Sequence, residues 1–170
     1  LLIAAAQTPE AAAARAKGAL LPFDGGEIPG AGVWIATPRS SGTPLAEPSA
    51  GADVFAALDL AIKIAEALAA AAACGVVHGD LRPGRVFVRE DGGVDVVHFG
   101  LGSSSSDLLF GHVLTQTTPD ALRYRSPARL DGGGPSAADD VRAAAVILFE
   151  QATGRPPFEG PTEEALLRAI

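Results

Sequence analysis

His78-Gly79-Asp80-Leu81-Arg82-Pro83-Gly84-Arg85, followed by the short run His98-Phe99-Gly100, decides how this chain is read. His98 stands eighteen positions after Asp80, enough for a loop, two short strands and a turn. The strands fall at 85–89 and 94–97, across Glu90-Asp91-Gly92-Gly93, whose acids and glycines are hairpin chemistry.

Helical patterns flank this segment. Asp53 opens a long helix that runs to about Cys74 and stops at Gly75. Phe55, Leu58, Ile62, Ala65 and Leu68 recur at three- and four-residue spacing, which gives it one apolar face. Downstream, Ser136 caps a second helix from Ala137 to about Thr153, stopped by Gly154 and Pro156. Its centre, residues 143–149, is apolar nearly all round, so this helix is expected to be buried. Thr162-Glu163-Glu164 starts a third. Upstream, Thr8-Pro9-Glu10 reads as a helix start, and the Ala-rich run after it ends at Gly18. Residues 19–23 and 32–37 are strand-like, with Asp24-Gly25-Gly26 and Pro29-Gly30 read as turns. Leu1–Ala6 is a strand or buried stub, 38–50 a connector, and Ser103–Ser106 with Thr115–Thr118 mark a long flexible loop.

Composition narrows the function classes. A net charge of −7 argues against nucleic acid, which wants a basic face. One cysteine, Cys74, excludes an internal disulfide and fits a reducing compartment. No apolar run reaches the roughly 18 residues of a membrane span, and Leu1–Ala6 lacks a basic start, so the expectation is a cytoplasmic protein. The hydrophobic fraction of 48% can build a core, but much of it is Ala and only 5% is aromatic, so that core is thin. The chain starts at Leu1 and stops at Ile170 within a helical pattern, which suggests a segment of a longer protein.

The quoted motifs resemble the catalytic and metal-binding loops of the protein kinase superfamily, H-R-D-L-x-x-x-N and D-F-G. Arg123-Tyr124-Arg125-Ser126-Pro127-Ala128 is similar to the end of an activation segment, and the run from Asp140 to Phe158 to the family's buried central helix. The resemblance covers roughly Val33 to Phe158 and implies a bacterial Ser/Thr kinase-like domain. The fold class it implies is α+β, mainly a helical C-lobe with an incomplete, strand-poor N-lobe. Residues 1–37 would be the N-lobe remnant, 38–50 the hinge or linker, and 51–170 a C-lobe truncated at its C-terminal end.

By the same resemblance Asp80 is the catalytic base and Arg82 stands at the family's Lys position. Arg85 replaces the metal-binding Asn, His98 replaces the metal-binding Asp, and Gly79 replaces the loop Arg. Thr37 falls near the gatekeeper. Asp140 anchors the catalytic-loop backbone, and Glu10 is a stand-in for the helix-C glutamate. There is no Gly-rich phosphate loop and no Asn anywhere in the chain. Lys17 and Lys63 both fall in helical patterns, so the ATP-pairing Lys either is replaced by Ala in Leu1–Ala6 or lies upstream. ATP remains admissible as a ligand, while Mg²⁺ is disfavoured because a hard cation wants oxygen donors. Arg85 either marks a vestigial pocket or pairs with phosphate oxygens in a metal's stead. His78, His98 and Asp80 come close together, but a packing role for His78 explains it more simply than a metal site. The function implied is a catalytically impaired pseudokinase working through protein contacts in signalling. The alternative is a weak or atypical Ser/Thr kinase using Asp80 as base. Partner or substrate is a protein, with no membrane segment.

Overall fold

The computed structural model describes residues 8–29, 32–48, 53–100 and 119–170. The expected stub at Leu1–Ala6 and the serine- and threonine-rich stretches at 103–106 and 115–118 lie outside them.

Helix α1, Pro9–Ala16, is capped by Thr8, whose Oγ1 accepts the Ala11 amide at 3.3 Å. Strand β1, Ala19–Leu20, follows a left-handed Gly18 (φ 85°). A Cβ there would sit 1.9 Å from the Val94 carbonyl oxygen, so the position admits only glycine. Strands β2, Asp24–Ile28, and β3, Gly32–Ala36, form a separate antiparallel ribbon. The expected turn at Asp24-Gly25-Gly26 is therefore corrected: these residues are paired strand. Gly26 packs flat under the Trp34 ring, where a Cβ would approach to 3.0 Å. Gly26 marks close packing, not reversal. Strand β4, Thr43–Pro44, falls within the stretch read as connector.

Helix α2, Val54–Ala73, is capped by the Asp53 carboxylate on the Phe55 amide at 2.9 Å and ends at Gly75 (φ 72°). A 3₁₀ turn, Pro83–Arg85, leads into the hairpin of β5, Val86–Val88, and β6, Val94–Val97. The main sheet runs β1-β6-β5-β4, with β1 parallel to β6 (Ala19 opposite Val96) and the other pairs antiparallel. Two short helices, α3 at Pro119–Leu122 and α4 at Pro127–Leu130, precede α5, Ala137–Thr153. Helix α5 starts in a capping box between Ser136 and Asp139 and ends at left-handed Gly154. Helix α6 is Glu163–Ala169.

Helices α2 and α5 pack along each other, and α1 lies against α2. Their shared core joins Ile64, Ala67, Leu68 and Ala71 to Ala143 and Ile147, and continues into Val86, Val96 and Phe99. This overturns the expected face of α2 except at Leu68, which is buried in that core. Phe55 is 82% exposed, and Leu58 and Ile62 also face outward, whereas Ala57, Ile64, Ala67 and Ala71 are buried. Alanines let α5 approach closely beside Ile64 and Leu68, and Phe55, Leu58 and Ile62 are left on the other side. The expectation that α5 is buried holds for one face: Ala143, Val146 and Ile147 of its centre are buried, whereas Phe149 is 38% exposed. Among the described residues no helix is long and apolar enough to cross a membrane. The arrangement is α+β, with helices dominating and short strands in two small sheets.

Candidate functional site

The site is built from the connection between α2 and β5, the residues following β6, and the start of α5. His78 is fully buried, and its ring packs tilted on Phe99 with centroids 4.8 Å apart. Its Nε2 donates to the Val97 carbonyl at 2.9 Å, and its Nδ1 accepts the Asp80 amide at 3.2 Å. That pattern fixes one neutral tautomer. Burial holds the imidazole at a pKa of about 3, far below its ordinary 6.5, so the ring is uncharged at neutral pH. The His78 carbonyl accepts the Gly100 amide at 3.2 Å, which ties the loop to the strand end. His78 is thus a packing residue, with both ring nitrogens committed.

Asp140, in the first turn of α5, reaches the same loop. Its two oxygens accept the amides of His78 at 2.7 Å and Gly79 at 2.8 Å. Burial raises the carboxyl pKa, and the two amides oppose that rise. Gly79 is left-handed (φ 77°), a conformation that a side-chain-bearing residue takes only under strain.

Asp80 then projects from a loop held on both sides. Its Oδ2 lies 3.4 Å from Arg85 Nη2 and 3.7 Å from Arg82 Nε. Arg85 Nη1 donates to His98 Nδ1. His98 is left-handed (φ 66°), the sole non-glycine with positive φ among the described residues. Burial, then the positive charges of Arg85 and Arg82, lower its pKa, so His98 is neutral and able to accept. Among the described residues the Nε atoms of Arg82 and Arg85 are buried without a hydrogen-bond partner.

Four of the residues singled out from sequence, Asp80, Arg82, Arg85 and His98, therefore form one cluster. Thr37 does not join it: it follows β3, half-buried, and among the described residues no hydrogen bond links it to the cluster. Glu10 is exposed, and the cap of α1 lowers its pKa: its own backbone first, then Thr8. Lys17 pairs with Glu66 at 3.2 Å on the surface, and Lys63 with Asp59 and the Gly92 carbonyl. Neither lysine reaches the cluster.

Sequence reasoning missed the link between the two replaced positions, because nothing in either segment alone says that Arg85 and His98 touch. It also missed a second buried group. Tyr124 donates to Glu150 at 2.6 Å, and its hydroxyl pKa is raised, first by burial and then by that carboxylate. Arg142 holds the Arg123 and Arg125 carbonyls at 3.3 and 2.8 Å and stacks over Phe158. Together these fasten the 121–126 segment to α5 beside a cavity of about 370 Å³ that Arg82, Arg123, Tyr124 and Glu150 help to line.

Comparison with known proteins gives this geometry a family. Residues 48–170 match the family described as protein kinase domain. A probable serine/threonine-protein kinase PknB of Corynebacterium glutamicum is 31% identical over 150 residues, covering 85% of this chain and 23% of the relative. The probable serine/threonine-protein kinase CE0033 of Corynebacterium efficiens is 30% identical over 156 residues, with the same coverage of 85% and 23%. Serine/threonine-protein kinase PkaA of Streptomyces coelicolor is 39% identical over 112 residues, 63% of this chain and 20% of that protein. The chain thus spans less than a quarter of the length of these relatives. The match takes in the whole loop from His78 to Arg85, the hairpin behind it and the helix that bears Asp140, and the chain belongs to the protein kinase family.

Proposed function

We propose that this is a kinase domain with impaired phosphotransfer, a pseudokinase module that works through protein contacts in signalling. One observation carries the reading: the Asp80 carboxylate lies between Arg82 and Arg85, and Arg85 is itself bonded to His98. Phosphoryl transfer in this family needs a free carboxylate for the substrate hydroxyl and two oxygen ligands for metal. Here the first is committed to guanidinium groups, and the other two positions are an arginine and a histidine. By this reading residues 1–37 are the remnant of the small lobe, 38–50 the hinge, and 51–170 the large lobe. The partner is a protein and not nucleic acid, and the compartment is cytoplasmic.

A second reading has its own support. Asp80 keeps 19% side-chain exposure on a loop that Asp140 holds in place, and the relatives are named as Ser/Thr kinases. It makes the chain a weak Ser/Thr kinase, using ATP with Asp80 as base and Arg82 on the transferring phosphate, with Thr37 lining the nucleotide pocket. A phosphotransfer assay with labelled ATP and a generic protein acceptor separates the two. The impaired reading expects no incorporation above background. Incorporation that disappears in Asp80→Asn establishes the enzyme instead.

A further inference from the structure

We propose that Arg82, Arg85 and His98 form an anion site that takes a phosphoryl group directly, with no divalent cation bridging it. The proposal rests on the impaired-kinase reading for its location in the cleft, and concerns what the cleft binds, not whether it reacts. The donor set does not fit Mg²⁺, which wants near-octahedral oxygen ligands. Arg85 and His98 offer nitrogen and already bond each other, and Asp80, among the described residues the one carboxylate paired with Arg85, is flanked by two cations. Among the described residues no group of three or more His, Cys, Asp or Glu stands ready to hold a metal.

The same cluster suits an anion. Two guanidinium groups face one carboxylate, and His98 is neutral, so the cluster carries one net positive charge. Guanidinium forks match phosphate oxygens, and they are always charged. Among the described residues the buried Nε–H of Arg85 has no acceptor and that of Arg82 has only Asp80 Oδ2 at 3.7 Å, beyond hydrogen-bond reach, and leaving them so costs free energy that an incoming oxygen would recover. His98 accepts through Nδ1, which leaves Nε2–H as a further donor. Magnesium added to such a ligand competes for its oxygens and carries positive charge into a positive cluster.

Thermal-shift and titration experiments on the chain in EDTA, with ATP, tripolyphosphate, inorganic phosphate and adenosine as separate probes, test this. ATP and tripolyphosphate near saturation are expected to raise Tm by about 4 °C or more, and adenosine not to. Excess Mg²⁺ is expected to shrink the shift. A larger shift with ATP than with tripolyphosphate assigns the group to a nucleotide, and a matching shift with inorganic phosphate assigns it to free phosphate. Arg85→Gln should weaken binding at least tenfold. Arg82→Gln supplies the same readout should that variant fold poorly. The pair Arg85→Asn with His98→Asp should make binding depend on Mg²⁺. A shift that requires Mg²⁺ in the wild type, an equal shift with adenosine, or no shift with any phosphate in EDTA overturns the proposal. The last result leaves the impaired-kinase reading standing, whereas phosphotransfer in EDTA overturns that reading and supports this site.

Discussion

The loop from His78 to Arg85 has two ends of opposite character. At His78 and Gly79 the polar groups are paired: the histidine uses its amide, its carbonyl and both ring nitrogens, and Gly79 gives its amide to Asp140. At Arg82 and Arg85 the guanidinium groups pair with Asp80 yet keep buried Nε atoms that form no hydrogen bond among the described residues. One end is held by backbone, the other filled by side chains that face one another. The shape of the loop does not depend on its reactive residues, so their identity can change while the loop stays folded.

Breaking the held end should cost most. Phe99 is fully buried against His78, and Phe99→Ala should lose about 4 kcal/mol of stability, read by urea unfolding. Asp140→Ala strands two buried amides and should cost about 3 kcal/mol, with Gly79 exchanging its amide hydrogen sooner than distant helical residues do. His78 gives the comparison a pH axis. Its folded pKa lies below its unfolded one, so the unfolded chain takes up the proton first as pH falls. This contribution is intact above about pH 6.5 and is lost progressively towards about pH 3, amounting to about 2 kcal/mol by pH 5. His78→Gln should remove that slope relative to wild type; equal slopes would mean the ring is not held neutral.

The filled end should respond weakly. Arg82→Gln alters a partly exposed ion pair and should change stability by no more than about 0.5 kcal/mol while still weakening phosphate binding. Smallest of all, Phe55→Ser on the outer face of α2 should be near neutral; a loss above about 1 kcal/mol would put that face in the core.

Much of this was legible because it is local. Thr8, Asp53, Ser136 and Thr162 each sit at a helix start where a short polar side chain can meet a free amide, and each does so. The loop motifs placed His78, Asp80 and His98 near one another, with a hairpin between the two loops. The buried face of α2 was not legible: two apolar stripes share the helix, and only the approach of α5 selects the alanine-rich one over Phe55 and Ile62. Nor were Gly25 and Gly26, since glycine signals a turn and a close contact equally well. The Arg85–His98 bond depends on the left-handed turn at His98, a tertiary outcome that no spacing announces.

The parallel pairing of β1 with β6 has a bearing on how the chain assembles. Gly18 and Ala19 meet Val96 across β2 to β5 and the whole of α2, and the Gly18 carbonyl accepts the Val96 amide at 2.7 Å. Closing so long a stretch of chain is paid in entropy before any contact returns it. The local β5–β6 hairpin therefore assembles ahead of it, and the N-terminal strand docks late onto an edge already formed. Once docked, Ala19 and Leu20 are buried with the core, so the sheet edge beside His98 is completed only by this late, long-range step.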